Sequence, residues 1–256
     1  MEGPEATTQA AISKIAEVTL YFWIMKVLAT TLGETTGDFI SMSLGLGYYV
    51  GLGITFSLLA IILFLQMANT TYQPALFWTA IVATTTVGTE ISDFMDRSLG
   101  LGYFWGSIIL LVGLVASLAV WYYRQGDLRV YPIARRDVEI MFWLAVLFSN
   151  SLGTAFEDFL VDGAGLSFLQ GALVTAGVIA AAGAAHYFTR LNGVLLFWIA
   201  FIFTRPFGAT FGDLLTKPHE HGGLDLPRSY ASLLTLALLA TVLFLSGDKT
   251  RSHPIS

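Results

Sequence analysis

The stretch Trp23-Ile-Met-Lys26-Val-Leu-Ala-Thr30-Thr-Leu-Gly33-Glu34-Thr-Thr-Gly37-Asp38 decides how the rest of the chain is read. Counted from Trp23, a glycine falls ten residues on and an aspartate fifteen residues on. The same frame returns at Trp78, Gly88 and Asp93, at Trp143, Gly153 and Asp158, and at Trp198, Gly208 and Asp213. Identical offsets in four copies mark an internal repeat, and a repeat fixes the architecture before any single residue is interpreted.

On a helix, residues four apart share a face. Offsets seven, eleven and fifteen then form one stripe per copy: Thr30, Glu34 and Asp38; Thr85, Thr89 and Asp93; Asn150, Thr154 and Asp158; Arg205, Ala209 and Asp213. Lys26 extends the first stripe by a turn, while Glu90 and Glu157 lie beside the second and third. Each Trp lies roughly 22 Å along the axis from its Asp, which puts the Trp at one membrane interface as an anchor. The glycine at offset ten lets helices approach closely.

Composition places these helices in a bilayer. The 256 residues are 55% hydrophobic and only 12% charged, with a mean hydropathy of +0.69, against about 25% charged for a soluble protein. With no cysteine there is neither a disulfide framework nor a thiolate metal site. The net charge of -5 and the absence of a basic cluster outside one arginine loop give nucleic-acid binding no support. Residues 1–17 read as a polar, amphipathic or frayed lead-in, without the pattern of a cleaved signal peptide.

Taken in order, the spacing predicts helices near 18–38, 48–67, 75–94, 104–123, 138–159, 167–188, 193–214 and 229–246. The fold class is therefore an all-α integral membrane protein with eight transmembrane helices, built from four parallel two-helix repeats. The repeats fall near 18–67, 75–123, 138–188 and 193–246 of one membrane domain, 1–256, and 124–137 joins the halves. Leu-Gly-Leu-Gly-Tyr at 44–48 and again at 99–103 carries the repeat past its first helix. Pro206 is expected to kink its helix beside Arg205. Both termini fall on the side holding Lys14, Arg124, Arg129, Arg135, Arg136, Arg190, Lys249 and Arg251, against Arg97, Lys217 and Arg228 opposite. The excess of positive charge reads that side as cytoplasmic.

The Trp-anchored two-helix repeat with its Gly and Asp resembles a bacterial membrane-protein family of four tandem repeats of unknown function, the DUF347 repeat family. That resemblance spans nearly the whole chain and implies a multi-pass protein of the bacterial inner membrane. It brings no activity with it.

Function is read from the stripes. Ionisable residues within a bilayer are costly and are kept for a pathway or site. Glu34, Asp38, Glu90, Asp93, Glu157, Asp158 and Asp213 stand against Lys26 and Arg205, a surplus of five negative charges. Hard oxygen ligands without thiolate suit hard divalent or trivalent cations. The expectation is a secondary transporter, a proton-coupled exporter of such a cation, with no permanently bound cofactor and with lipid, metal ion and protons as its partners. The acids ligate the metal. Thr30, Thr85, Thr89, Asn150 and Thr154 complete the shell, and Lys26 and Arg205 neutralise the empty site. Glu34 or Glu157, crowded by neighbouring carboxylates, carries the coupled proton. A cation channel with an aspartate ring at its mouth, and a carrier of a small organic solute bound through Lys26 and Arg205, are the alternatives. No hydrolase or metalloprotease motif is present, so an enzyme is not expected. A His219-Glu220-His221 loop is read as solvated, and Lys26 as the salt-bridge partner of a helix acid.

Overall fold

Eight α-helices carry the described chain: α1 (Leu20–Asp38), α2 (Gly47–Ala68), α3 (Pro74–Asp93), α4 (Gly102–Gln125), α5 (Arg136–Asp158), α6 (Phe168–Phe188), α7 (Gly193–Thr216) and α8 (Arg228–Arg251). This is a computed structural model, and it describes residues 13–251 apart from the side chains of His221 and residues 247–251. The expected lead-in over 1–12 and the polar tail after 251 lie outside the described residues. The helix starts follow local chemistry. Thr19 and Asn192 cap α1 and α7, Pro74 opens α3, and Ser167 with Gln170 forms a capping box on α6.

Six helices are long and apolar enough to cross a membrane: α2, α4, α5 with its following turn, α6, α7 and α8. Helices α1 and α3 fall short of that apolarity, because both are rich in threonine and carry Lys26, Glu34 and Asp38, or Glu90 and Asp93. The polar stripe that makes them interesting also dilutes their apolar signal. The chain is a multi-pass, all-helical membrane protein by these six helices and its lack of strands among the described residues.

The odd helices form a closed ring in which α1 packs on α3, α3 on α5, α5 on α7 and α7 on α1. Each even helix lies outside and packs mainly on the odd helix of the next repeat: α2 on α3, α4 on α5, α6 on α7, and α8 back on α1. The outer helices present large apolar side chains outward, among them Phe64, Val112, Leu173 and Phe244. A lipid-facing surface is of this kind.

The glycine at offset ten is the hinge of ring packing. A Cβ on Gly33 would collide with Thr85, on Gly88 with the backbone of Asn150 and Ser151 at 2.9 Å, on Gly153 with Arg205, and on Gly208 with Thr30. Thr85, Asn150, Arg205 and Thr30 are the offset-seven residues of the next repeat in each case. One contact, made four times, closes the ring.

The Trp end departs from expectation. Trp78, Trp143 and Trp198 are buried and point into the bundle instead of marking an interface. The Phe before each Trp meets the Trp of the following repeat: Phe22 with Trp78 at 5.6 Å, Phe77 with Trp143 at 5.7 Å and Phe197 with Trp23 at 5.6 Å between ring centroids. Between Phe142 and Trp198, Trp121 of α4 is inserted, at 6.5 and 5.8 Å. The aromatic pair repeated in sequence is thus a packing element that closes one end of the ring. Residues 13–16, expected to be frayed, are buried at the same end. Lys14 is tied there by a 2.6 Å ion pair to Glu139 and a hydrogen bond to the Met67 carbonyl.

At the opposite end, five-residue π turns continue α1, α3 and α5: Phe39–Ser43, Phe94–Ser98 and Phe159–Gly163. They follow the offset-fifteen aspartates directly. The Leu-Gly-Leu-Gly-Tyr turns that come next need glycine, since Gly45, Gly47, Gly100 and Gly102 all have φ between +67° and +73°.

Candidate functional site

The stripes converge as stacked layers on the ring axis. The deepest holds Lys26 with the apolar Ile81, Val146 and Phe201, all fully buried. Lys26 makes no carboxylate ion pair among the described residues. Its Nζ donates to Asn150 Oδ1 at 3.1 Å and sits 4.2 Å from the centre of the Phe201 ring. Asn150 in turn donates through Nδ2 to Thr84 and Thr85 Oγ1 at 3.1 and 3.2 Å. The expected salt bridge of Lys26 to a helix acid is therefore replaced by an amide and a π face. Thr30 turns away, donating to carbonyls of its own helix and of Thr204.

One layer toward the π turns, Arg205 crosses the axis. Its Nη2 reaches Glu34 Oε2 at 2.6 Å, Thr89 Oγ1 at 2.7 Å and Thr154 Oγ1 at 2.5 Å, groups from three other helices. Arg205 is fully buried, as is nearly all of Glu34. An unpaired charge at this depth is costly, and pairing with hydrogen-bonded neighbours offsets that cost. Pro206 does not interrupt α7, which runs unbroken from Gly193 to Thr216 and carries Arg205 inward.

The four aspartates form the last layer, and all are buried. Arg97 joins Asp93 and Asp158 at 3.5 and 3.3 Å. Lys217 joins Asp38 and Asp213, both at 3.4 Å, and Arg228 adds a 3.2 Å contact to Asp38. Burial works against the ammonium charge of Lys217, but Asp213 and Asp38 outweigh it and raise its pKa above the ordinary lysine value. Lys217 is charged at neutral pH. Arg97 and Lys217 both lie nineteen residues after their Trp. The second and fourth repeats thus supply the bridging cations, and the first and third do not.

These three cations change the charge count. Five basic groups stand here instead of two, and Asp162 on the cavity wall makes eight acids instead of seven, so the formal surplus is three negative charges, not five. Sequence reasoning placed Arg97, Lys217 and Arg228 at the outer face without bringing them into the site. Their shared offset was the available signal for the first two.

The acids separate into groups. Glu34, Asp38 and Asp213 each offer an oxygen, and these lie within 4.8 Å of one another, which makes them the group among the described residues able to share a metal ion. Asp93 and Asp158 lie across the ring with Arg97. Glu157 and Asp158 line a cavity of about 360 Å³ together with Asp213, Asp162, Arg97 and Lys217. Glu157 Oε1 and Asp158 Oδ2 are buried without a hydrogen-bond partner, and Asp213 Oδ1 has only its 3.4 Å ion pair with Lys217. Glu90 stands apart, between ring and outer helices, where it accepts a short hydrogen bond from Ser41 and abuts Gly51. The His219–His221 turn lies beyond the mouth, with His219 Nδ1 at 2.8 Å from the Gly223 carbonyl.

The layered axis is the product of a sequence motif met four times, and the motif is a family signature. The family model described as "Repeat of Unknown Function (DUF347)" matches residues 21–72, 76–127, 141–192 and 196–246. The chain belongs to the DUF347 repeat family. Each match takes in one odd helix and the even helix after it, so the family repeat is the structural repeat of the ring. No curated protein and no solved structure matches the chain.

Proposed function

We propose that this DUF347 repeat protein is a secondary transporter that exports a hard divalent or trivalent cation in exchange for protons. In this reading all eight helices span the bacterial inner membrane with both termini in the cytoplasm, and the aspartate mouth opens outward. α1 and α3 cross as members of the ring, shielded from lipid by their neighbours. The observation that carries the proposal is the convergence of Glu34, Asp38 and Asp213 within 4.8 Å. Three carboxylates at that separation suit a small hard cation, since all three ligand atoms they offer are hard oxygens.

Glu34 is held by Arg205 at 2.6 Å, so the exchanged proton is assigned to Glu157, a residue of the mouth cavity that has one buried oxygen without a hydrogen-bond partner. Arg205 favours a carrier over an open channel. Its guanidinium crosses the axis and binds groups from three helices, so an ion passes only if that network rearranges. The aromatic ring at the Trp end closes the other side.

The test is flux into proteoliposomes. A panel of divalent and trivalent cations is applied with and without a pH gradient, and internal pH is followed on cation addition. Exchange predicts a proton movement opposite to the cation, abolished in Glu157→Gln. Cation flux without any proton response in the native protein refutes exchange and supports a channel. No flux of any cation refutes the cation reading itself.

A further inference from the structure

Lys217 and Arg228 are the two ends of one connection. Lys217 caps the end of α7 and Arg228 begins α8. The loop between them folds back on α7, with backbone hydrogen bonds from Leu224, Asp225 and Leu226 to the carbonyls of Leu214, Lys217 and Leu215. Both of its ends are pinned to the same oxygen, Asp38 Oδ2, by Lys217 at 3.4 Å and Arg228 at 3.2 Å. Lys217 also reaches Asp213 Oδ1 at 3.4 Å. Two of the three carboxylates proposed to share a cation are thus already neutralised by positive groups on a single strap.

We propose that Lys217 and Arg228 are tethered occupants of the cation site, which supply its positive charge when it holds no ion and are displaced when an ion binds. This inference rests on the cation reading of Glu34, Asp38 and Asp213. It adds that the loop 217–228 competes with the ion and so senses occupancy. The charge argument is direct. A cation placed among these oxygens lies within a few ångströms of an ammonium and a guanidinium, and like charges so close repel strongly in a buried setting. Either the ion or the tethered groups hold the aspartates. The adjoining cavity, lined by Glu157, Asp158 and Asp162 as well as by Lys217 itself, gives the displaced ammonium a place to go among carboxylates that keeps its charge compensated. Arg205 differs in kind: fully buried and bound to Thr89 and Thr154 as well as Glu34, it is a fixture of the ring, not part of the strap.

The experiment is equilibrium binding of terbium(III), a hard trivalent probe, to the purified full chain in nanodiscs, followed by its sensitised luminescence. Lys217→Gln and Arg228→Gln are compared with Lys217→Arg, with Asp38→Asn as the site control. Removing a competing charge tightens terbium binding by about tenfold, within the usual range of coupling between two sites, whereas Lys217→Arg keeps native affinity. A merely structural role predicts the reverse, weaker binding in both Lys217 variants. Native binding lost in Asp38→Asn but unchanged in Lys217→Gln and Arg228→Gln overturns the tethered-occupant inference and leaves the cation site standing. Equal binding to the native chain and Asp38→Asn, or no binding to any variant, overturns the cation site and the inference with it.

Discussion

The two ends of the inner ring are built from the same repeat, yet they are opposites. At the Trp end the repeat is used conservatively: Phe of one copy meets Trp of the next around the ring, and where the pattern breaks, Trp121 fills the gap. At the Asp end the repeat is kept at offset fifteen and in the π turns of three copies, but it is broken at the charged positions around the aspartates. Only one copy supplies Glu34, only one supplies Arg205, and cations at offset nineteen occur in two copies of four. The lesson is that repetition builds the ring, while differences between copies build the site. A ring of four identical stripes would have a symmetric pore. This one has a single arginine drawn to a single glutamate.

The sharpest way to break that contrast is Arg205→Met. It leaves Glu34 buried without its charged partner and takes the guanidinium from the Thr154 and Thr89 hydroxyls, of which Thr89 keeps Glu34 and the Thr85 carbonyl. A loss of about 3–5 kcal/mol is expected, seen as a large fall in unfolding temperature in detergent. The double variant Arg205→Met with Glu34→Gln should regain most of it, since no buried charge is then left alone.

Trp143→Ala tests the other end. Emptying a buried indole site should cost about 3 kcal/mol in the same unfolding measurement, while terbium binding by the protein that remains folded stays native. Equal loss of binding would show that the ends are not independent. Gly88→Ala is the next step down. Its methyl meets the Asn150 and Ser151 backbone at 2.9 Å, so α3 and α5 must separate, at a cost of about 1–3 kcal/mol. Asp38→Asn reverses the pattern: near-native stability, because its two partners, Lys217 and Arg228, are partly exposed and keep their charge hydrated, but cation flux reduced at least tenfold. The smallest effect is expected for His219→Ala with His221→Ala, which should leave flux within about twofold of native. An essential histidine pair with a dispensable Asp38 would move the site to the outer loop.

Much of this was legible in the chain. The four-fold frame, the helical character and the inward convergence of the stripes follow from spacing, because offsets of four share a face and the glycine at ten forces close packing. Three things were not legible. Burial of Trp78, Trp143 and Trp198 depends on which way the helix is turned, and an aromatic near a span end reads equally as anchor or core. Partner choice was the second: spacing puts Lys26 and Arg205 on stripes of different helices, and only the packing of the ring gives Arg205 to Glu34 and leaves Lys26 with Asn150 and Phe201. The third was the depth of the mouth. The π turn after α3 carries Arg97, which reaches Asp158 on the next odd helix, while Lys217 at the plain end of α7 reaches Asp38, and neither cross-helix contact follows from the helix on which the cation sits.

The outer helices bear on how the ring is sealed. Because α8 covers α1, with Ser232 bonded to Thr35 at 2.9 Å, the last described helix covers the first. That contact joins the two ends of the described chain, and the strap from Lys217 takes its second anchor, Arg228, from the start of the same helix. Loss of α8 would therefore uncover one face of α1 and release one end of the strap together.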